Sequence, residues 1–190
     1  MSGRAPNERR VLLDACCLVN LYASRNIEAV LQSLPFRFGV VRRVMEIEAT
    51  YVLVGGEGEN AEERDPVNLT PLLDSGLLEV VDIDTEDEAE SFVNLAFDLD
   101  DGEARTIAVA IHRGDIVATD DRKARQVVER LVPRVMLFST TEILQRWSLI
   151  EGVTEDQLRR ALSDVQQRGR FLPPRHDPLR EWWQGRVASG

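Results

Sequence analysis

Short apolar runs alternate along this chain with stretches whose apolar residues recur at helical spacing, and that alternation admits few folds. Residues 10–14, 36–41, 78–82, 115–119 and 135–138 are too short for helices and dense in Val, Ile, Leu and Phe, so each reads as a buried strand. Between them the spacing predicts helices. Leu18 to Ser24 begins one, and Ile27 to Leu34 continues or follows it. A third spans Arg42 to Val54, with Val41, Val44, Met45, Glu48, Tyr51 and Val52 on one face. A short one covers Leu72 to Leu77, and one over Asp87 to Asp98 carries Phe92, Leu95, Ala96 and Leu99. Asp100-Asp101-Gly102 breaks that helix and caps the next, whose stripe is Ala104, Ile107, Ala108 and Ile111 up to Gly114. Ala124, Val127, Val128 and Leu131 mark a further helix, and Ser139-x-x-Glu142 and Thr154-x-x-Gln157 open two more with capping-box patterns. Gly55 to Asn60 reads as a loop. Strands alternating with helices imply parallel β-α-β units and an α/β sheet covered on both faces.

The chain's 190 residues suit one domain, here residues 1–150, with an appendage at 151–190. The appendage carries a helix over Glu155 to Arg168 striped by Leu158, Ala161, Leu162 and Val165. Phe171, Leu172, Leu179, Trp182 and Trp183 follow, interrupted by prolines that forbid one continuous helix. That much apolar surface is expected to pack on the domain or across a dimer rather than form a loose arm. The polar start, Met1 to Arg10, offers no signal-peptide core, and no run approaches the roughly 18 apolar residues of a membrane span. Cys16 and Cys17, the only cysteines, suggest a reducing compartment, so the expected location is cytoplasmic.

Ten acids between Asp82 and Glu103, with no Lys or Arg among them, equal the whole net charge of −10. Lys123 is the only lysine, so arginine supplies nearly all the positive charge. An acidic chain holds a polyanion poorly unless metal and local arginines compensate.

Several acids sit where a site would need them. Asp14 ends the run Val11-Leu12-Leu13, and Asp120 and Asp121 end Ile116 to Thr119; ligands of a parallel sheet gather at the C-terminal ends of its strands. Glu103 falls in the first turn of a helix. Glu48 interrupts an apolar stripe and should point inward, whereas Glu46 belongs with Arg42 and Arg43 on the solvent side. A buried carboxylate is costly unless paired or on a metal. Oxygen-only ligands suit Mg²⁺ or Mn²⁺, while adjacent cysteines and two distant histidines, His112 and His176, offer no zinc spacing.

Val11-Leu-Leu-Asp14-Ala-Cys-Cys-Leu-Val-Asn20, Asp101-Gly-Glu103-Ala-Arg-Thr-Ile-Ala-Val-Ala110 and Ala118-Thr-Asp-Asp121-Arg-Lys-Ala-Arg125 resemble the PIN domain, most closely its VapC-like members, over about residues 10–150. The resemblance implies a Rossmann-like α/β/α sandwich with a mainly parallel sheet, and a Mg²⁺- or Mn²⁺-dependent ribonuclease. It places Asp14, Glu48, Glu103 and Asp121 as catalytic metal ligands, with Asp120 a neighbour able to substitute. Glu46 can also be aligned at the position given to Glu48. Glu103 stands where the family usually has Asp, and Cys16 where it often has Ser or Thr. RNA, an antitoxin protein and a second copy of the chain are the implied partners. Arg122, Arg125, Arg42 and Arg43 are the candidates to hold the RNA backbone.

Two alternatives share these residues. One is a degenerate PIN-like module that binds RNA or protein without hydrolysis. The other is a different acid-site phosphohydrolase or phosphotransfer receiver. A receiver wants a late lysine, but Lys123 lies beside Asp121; Asp82-Ile-Asp84-Thr85 resembles a dehalogenase signature with its Thr one residue early.

Overall fold

A computed structural model describes residues 9–55 and 60–188. Five strands, β1 (Arg10–Leu13), β2 (Arg37–Val41), β5 (Glu79–Val81), β6 (Ile116–Ala118) and β7 (Leu137–Phe138), form one sheet in the order β5-β2-β1-β6-β7, and every pairing is parallel. Runs such as Val11-Leu12-Leu13 and Ile116-Val117-Ala118 are apolar on both faces because both faces are covered. Helix α5 (Asp101–Arg113) packs across β1, β2 and β6, with α4 (Glu86–Leu95) against it. Helix α1 (Ala15–Ala23) gathers α2 (Ile27–Ser33), α7 (Thr140–Ser148) and α8 (Glu155–Arg168) around itself. Helices α3 (Thr70–Asp74) and α6 (Arg122–Leu131) complete the connections. The chain is thus an α/β/α sandwich with a C-terminal helix, α9 (Arg180–Ala188), lying against α8. No described helix is long and apolar enough to cross a membrane.

The strand order places a switch point between β1 and β6. From β1 the chain builds outward through β2 to β5, then returns to add β6 and β7 on the other side. Connections leave these two neighbours in opposite directions, which opens a crevice at their C-terminal ends. Asp14 and residues 119–121 occupy those ends, and the Asp14 N–H donates to the Ala118 carbonyl at 3.0 Å.

The helix expected over Arg42 to Val54 is corrected. It is a single π-helical turn, Val44–Glu48, closed by the Ala49 N–H on the Val44 carbonyl at 2.9 Å. The chain then enters β3 (Tyr51–Leu53), paired antiparallel with β4 (Arg64–Pro66). β-Branched and aromatic Tyr51-Val52 suit a strand, and β4 supplies a partner that helical periodicity cannot register. The short helix expected at Leu72 to Leu77 lies earlier, in α3. Of the loop expected over Gly55 to Asn60, positions 56–59 lie outside the described residues.

In the C-terminal segment Leu158, Ala161, Leu162 and Val165 are buried, as is Trp183. Arg168, buried at the end of α8, donates to the carbonyls of Leu53 and Ala23 and to Asp65. These bonds tie α8 to α1 and to the β3–β4 ribbon.

One member of the acidic run is not on the surface. Glu88 is 1% exposed and accepts from both Arg113 Nε (2.7 Å) and Nη2 (2.9 Å) and from the Asp84 N–H (2.8 Å). The Arg113 hydrogen bond leads the interactions that hold its carboxyl at about 2, below the ordinary 4.5. A lowered folded value means the pair stabilises the fold above about pH 4.5 and that this contribution is lost as pH falls toward 2. Glu88→Gln should cost about 3 kcal/mol in urea unfolding at pH 7 and lose less stability than wild type between pH 5 and 3. An unchanged unfolding midpoint would show that the pair is replaceable by water.

Candidate functional site

Asp14 is held first by its own strand end. It caps α1 through Oδ1, accepting from the Ala15 N–H at 2.8 Å, while Oδ2 accepts from the Thr119 hydroxyl at 2.8 Å and from the Cys16 thiol at 3.4 Å. Burial raises its pKa more strongly than these bonds lower it, and the charge of Asp100 adds to the rise. The Thr119 hydroxyl also accepts from the Asp121 N–H at 3.1 Å, so one threonine couples the two strand ends. Asp121 caps α6 by accepting from the Ala124 N–H at 2.8 Å.

Glu103 enters from the opposite side, on the first turn of α5. It forms a reciprocal capping box with Asp100: its own N–H donates to Asp100 Oδ1 at 2.9 Å and its carboxylate accepts from the Asp100 N–H at 3.4 Å. Burial, and then the charges of Asp100, Asp14 and Asp121, push Glu103 up to about 7. Glu48 arrives from the π-helical turn. The wider turn sends Glu46 outward, where it is 51% exposed and paired with Arg42, and sets Glu48 inward at 22%. Its carboxylate lies against Gly102, where a Cβ would come within 2.0 Å of Oε2. Burial leads the rise in its pKa, followed by Asp100 and Asp14; Arg43, 3.6 Å away, opposes it.

Asp14, Glu48, Glu103 and Asp121 therefore face one crevice from four separate segments. Asp100, expected only to cap a helix, is a fifth charge on the same cluster; its position one turn before Glu103 is the signal that sequence offers for it. Asp120 points elsewhere. Its carboxylate accepts from the Thr140 N–H (2.9 Å), the Thr140 hydroxyl (2.5 Å) and the Asn20 amide (3.0 Å), which bind α7 to α1.

The cluster's oxygen-only donors and its shortage of positive charge fit a hard divalent cation. It is also open. Among the described residues the one trio of ligand-type side chains with donor atoms mutually within 4.8 Å is Cys16, Cys17 and Asp120. That trio is poorly suited to metal, because Asp120 is already hydrogen-bonded and burial pushes the Cys17 thiol well above its ordinary value. An ion that keeps several waters, as Mg²⁺ does, suits the wider acid ring.

The arginines proposed for RNA are mostly engaged. Arg42 pairs with Glu46 and lies 3.9 Å from Asp82, and Arg43 lies 3.1 Å from Asp101. Arg125 Nη1 donates to the carbonyls of Thr119 and Phe138, both at 3.1 Å, so it braces β6 against β7. Arg122 is exposed and, among the described residues, makes no ion pair or hydrogen bond.

A family model described as a PIN domain matches residues 10–176, running past the boundary drawn at 150. No curated relative matches the chain. The matched span contains both switch-point strands, the π-helical turn and all the converging carboxylates, and with this extent of match on a parallel α/β/α sandwich the chain belongs to the PIN-domain family.

Proposed function

We propose that this protein is an endoribonuclease that uses Mg²⁺ or Mn²⁺ to hydrolyse RNA phosphodiester bonds. PIN domains are typically nucleases that bind divalent metals, and the convergence of Asp14, Glu48, Glu103 and Asp121 at the switch point is the observation that carries the reading. A bound ion would lower the pKa of water and offset charge on the reacting phosphate. The chain's own work is to arrange its acids. The Ala15 N–H and Thr119 hydroxyl orient Asp14, the Ala124 N–H orients Asp121, and the capping box orients Glu103. Without a cation, burial and the neighbouring acids favour the protonated form of Glu103, and a cation would hold it ionised.

The VapC-like toxin role, an antitoxin partner and a homodimer come from the resemblance, and the cytoplasmic setting from the two unpaired cysteines. The division into a nuclease domain over 1–150 and an extension over 151–190 follows chain length and the change of composition toward the C-terminus, with the resemblance naming the first part. RNA incubated with the protein should be cut in the presence of Mn²⁺ and left intact in EDTA. Saturable Mn²⁺ binding without any cleavage of single-stranded, hairpin or duplex RNA would favour the degenerate module instead.

A further inference from the structure

We propose that residues 171–178 form the far wall of a groove that holds a single strand of RNA beside the acid cluster, an inference that rests on the ribonuclease reading. A cavity of about 1070 Å³ runs from Cys16, Asp120 and Asp121 between α6 and this C-terminal loop. It exceeds an ordinary small-molecule pocket and reaches the acid cluster at Asp121, which suits a length of polymer. Arg122 and Gln126 line one wall; Phe171, Leu172, Pro174 and His176 line the other.

The loop is built rather than loose. Arg170 turns the chain with a left-handed φ of 52°. The Phe171 ring meets Trp183 edge to face, with centroids 5.7 Å apart, and Trp183 is fully buried. The Arg180 guanidinium donates to the Pro173 carbonyl, the Asp177 N–H to the Pro174 carbonyl at 3.0 Å, and the Leu179 N–H to Asp177 Oδ1 at 2.7 Å. On this frame Leu172 is 45% exposed and His176 faces solvent.

Charge selects the kind of occupant. Glu129, Glu142 and Asp177 also line the groove, Arg125 is braced internally, and Arg122 is the free guanidinium among its described residues. Phosphate contacts alone would hold a polyanion weakly here. The apolar and aromatic surface of the loop adds a second means of grip, through the faces of bases, which a single strand exposes and a duplex hides. The strand would pass the loop with bases against Leu172, Phe171 and His176, and its backbone toward Arg122.

The test uses the full chain in EDTA, so that nothing is cut, with a fluorescein-labelled single-stranded oligoribonucleotide of about 12 nucleotides, within the length such platforms hold. The double variant Leu172→Ser/His176→Ala, both exposed and outside the acid cluster, should bind about tenfold more weakly by anisotropy. With Mn²⁺ its KM should rise by a similar factor while kcat stays within about twofold, and its thermal melt should match wild type. Equal affinity in variant and wild type, or blunt duplex bound as tightly as single strand, would overturn the groove even if RNA is hydrolysed. Absence of hydrolysis by wild type would sink the ribonuclease reading, and the binding measurement in EDTA would still decide the groove by itself.

Discussion

Asp14→Asn should abolish RNA hydrolysis while making the metal-free protein slightly more stable. The two effects share one cause. Asp14 is 3% exposed, and burial raises its pKa. A carboxyl whose folded value is raised contributes stability below its unfolded value that is lost as pH rises through the folded one, so at pH 7 the ionised side chain opposes folding. Asparagine keeps an acceptor for the Ala15 N–H and removes the charge. Each tenfold change in a carboxyl's protonation equilibrium is worth about 1.4 kcal/mol, so the metal-free variant should melt a few degrees higher at pH 7. Glu103, relieved of a neighbouring anion, should titrate lower than about 7. Mn²⁺ should raise the melting temperature of wild type far more than that of the variant. Losing even an outer partner of a metal ligand costs about 10–100-fold, so losing a ligand should reduce kcat/KM by at least about 100-fold. Wild-type rates in the variant at matched Mn²⁺ would remove Asp14 from the site.

Gly102→Ala should fold well and still lose most of its activity. The glycine lies in the first turn of α5 with an ordinary helical backbone, where alanine is the better helix former by about 1 kcal/mol. Its new methyl would meet the Glu48 carboxylate at 2.0 Å from Oε2, 2.6 Å from Cδ and 2.7 Å from Oε1. The fold escapes this overlap cheaply, since the carboxylate ends a flexible side chain. The site does not, because that end is the functional part. We expect thermal stability within a few degrees of wild type, with Mn²⁺ affinity and kcat/KM lowered about 10–100-fold. Glu48→Asp in the same chain withdraws the carboxylate by one methylene and should recover part of the metal affinity. Undiminished Mn²⁺ binding in Gly102→Ala would mean that Glu48 does not serve the site.

Glu48 separates what is legible in the residues from what is not. Its inward placement follows from a helical stripe running on to Tyr51 and Val52, yet those residues are a strand and Tyr51 is partly exposed. Inwardness survives because the π-helical turn adds a residue to the loop of backbone and rotates Glu48, not Glu46, toward α5. Asp14 and Asp121 need no such correction: each directly follows or closely trails an apolar run, and the position of a strand end can be read from its own residues.

What the chain's order of residues determined by itself is therefore local. Apolar runs, helical periods and capping patterns mark the five sheet strands and most helices, because each depends on side chains a few positions apart. Strand-end and first-turn acids follow from the same marks. Tertiary structure decided the rest. It paired β3 with β4, buried Glu88 against Arg113 at 25 positions' separation, and placed Asp100 among the acids. It turned Asp120 away to hold Thr140 and Asn20, and engaged Arg125 with two backbone carbonyls. The physical reason is common to all of these: a charged side chain's role depends on which distant donor, anion or missing Cβ it meets, and only the packed sheet and helices bring those partners together.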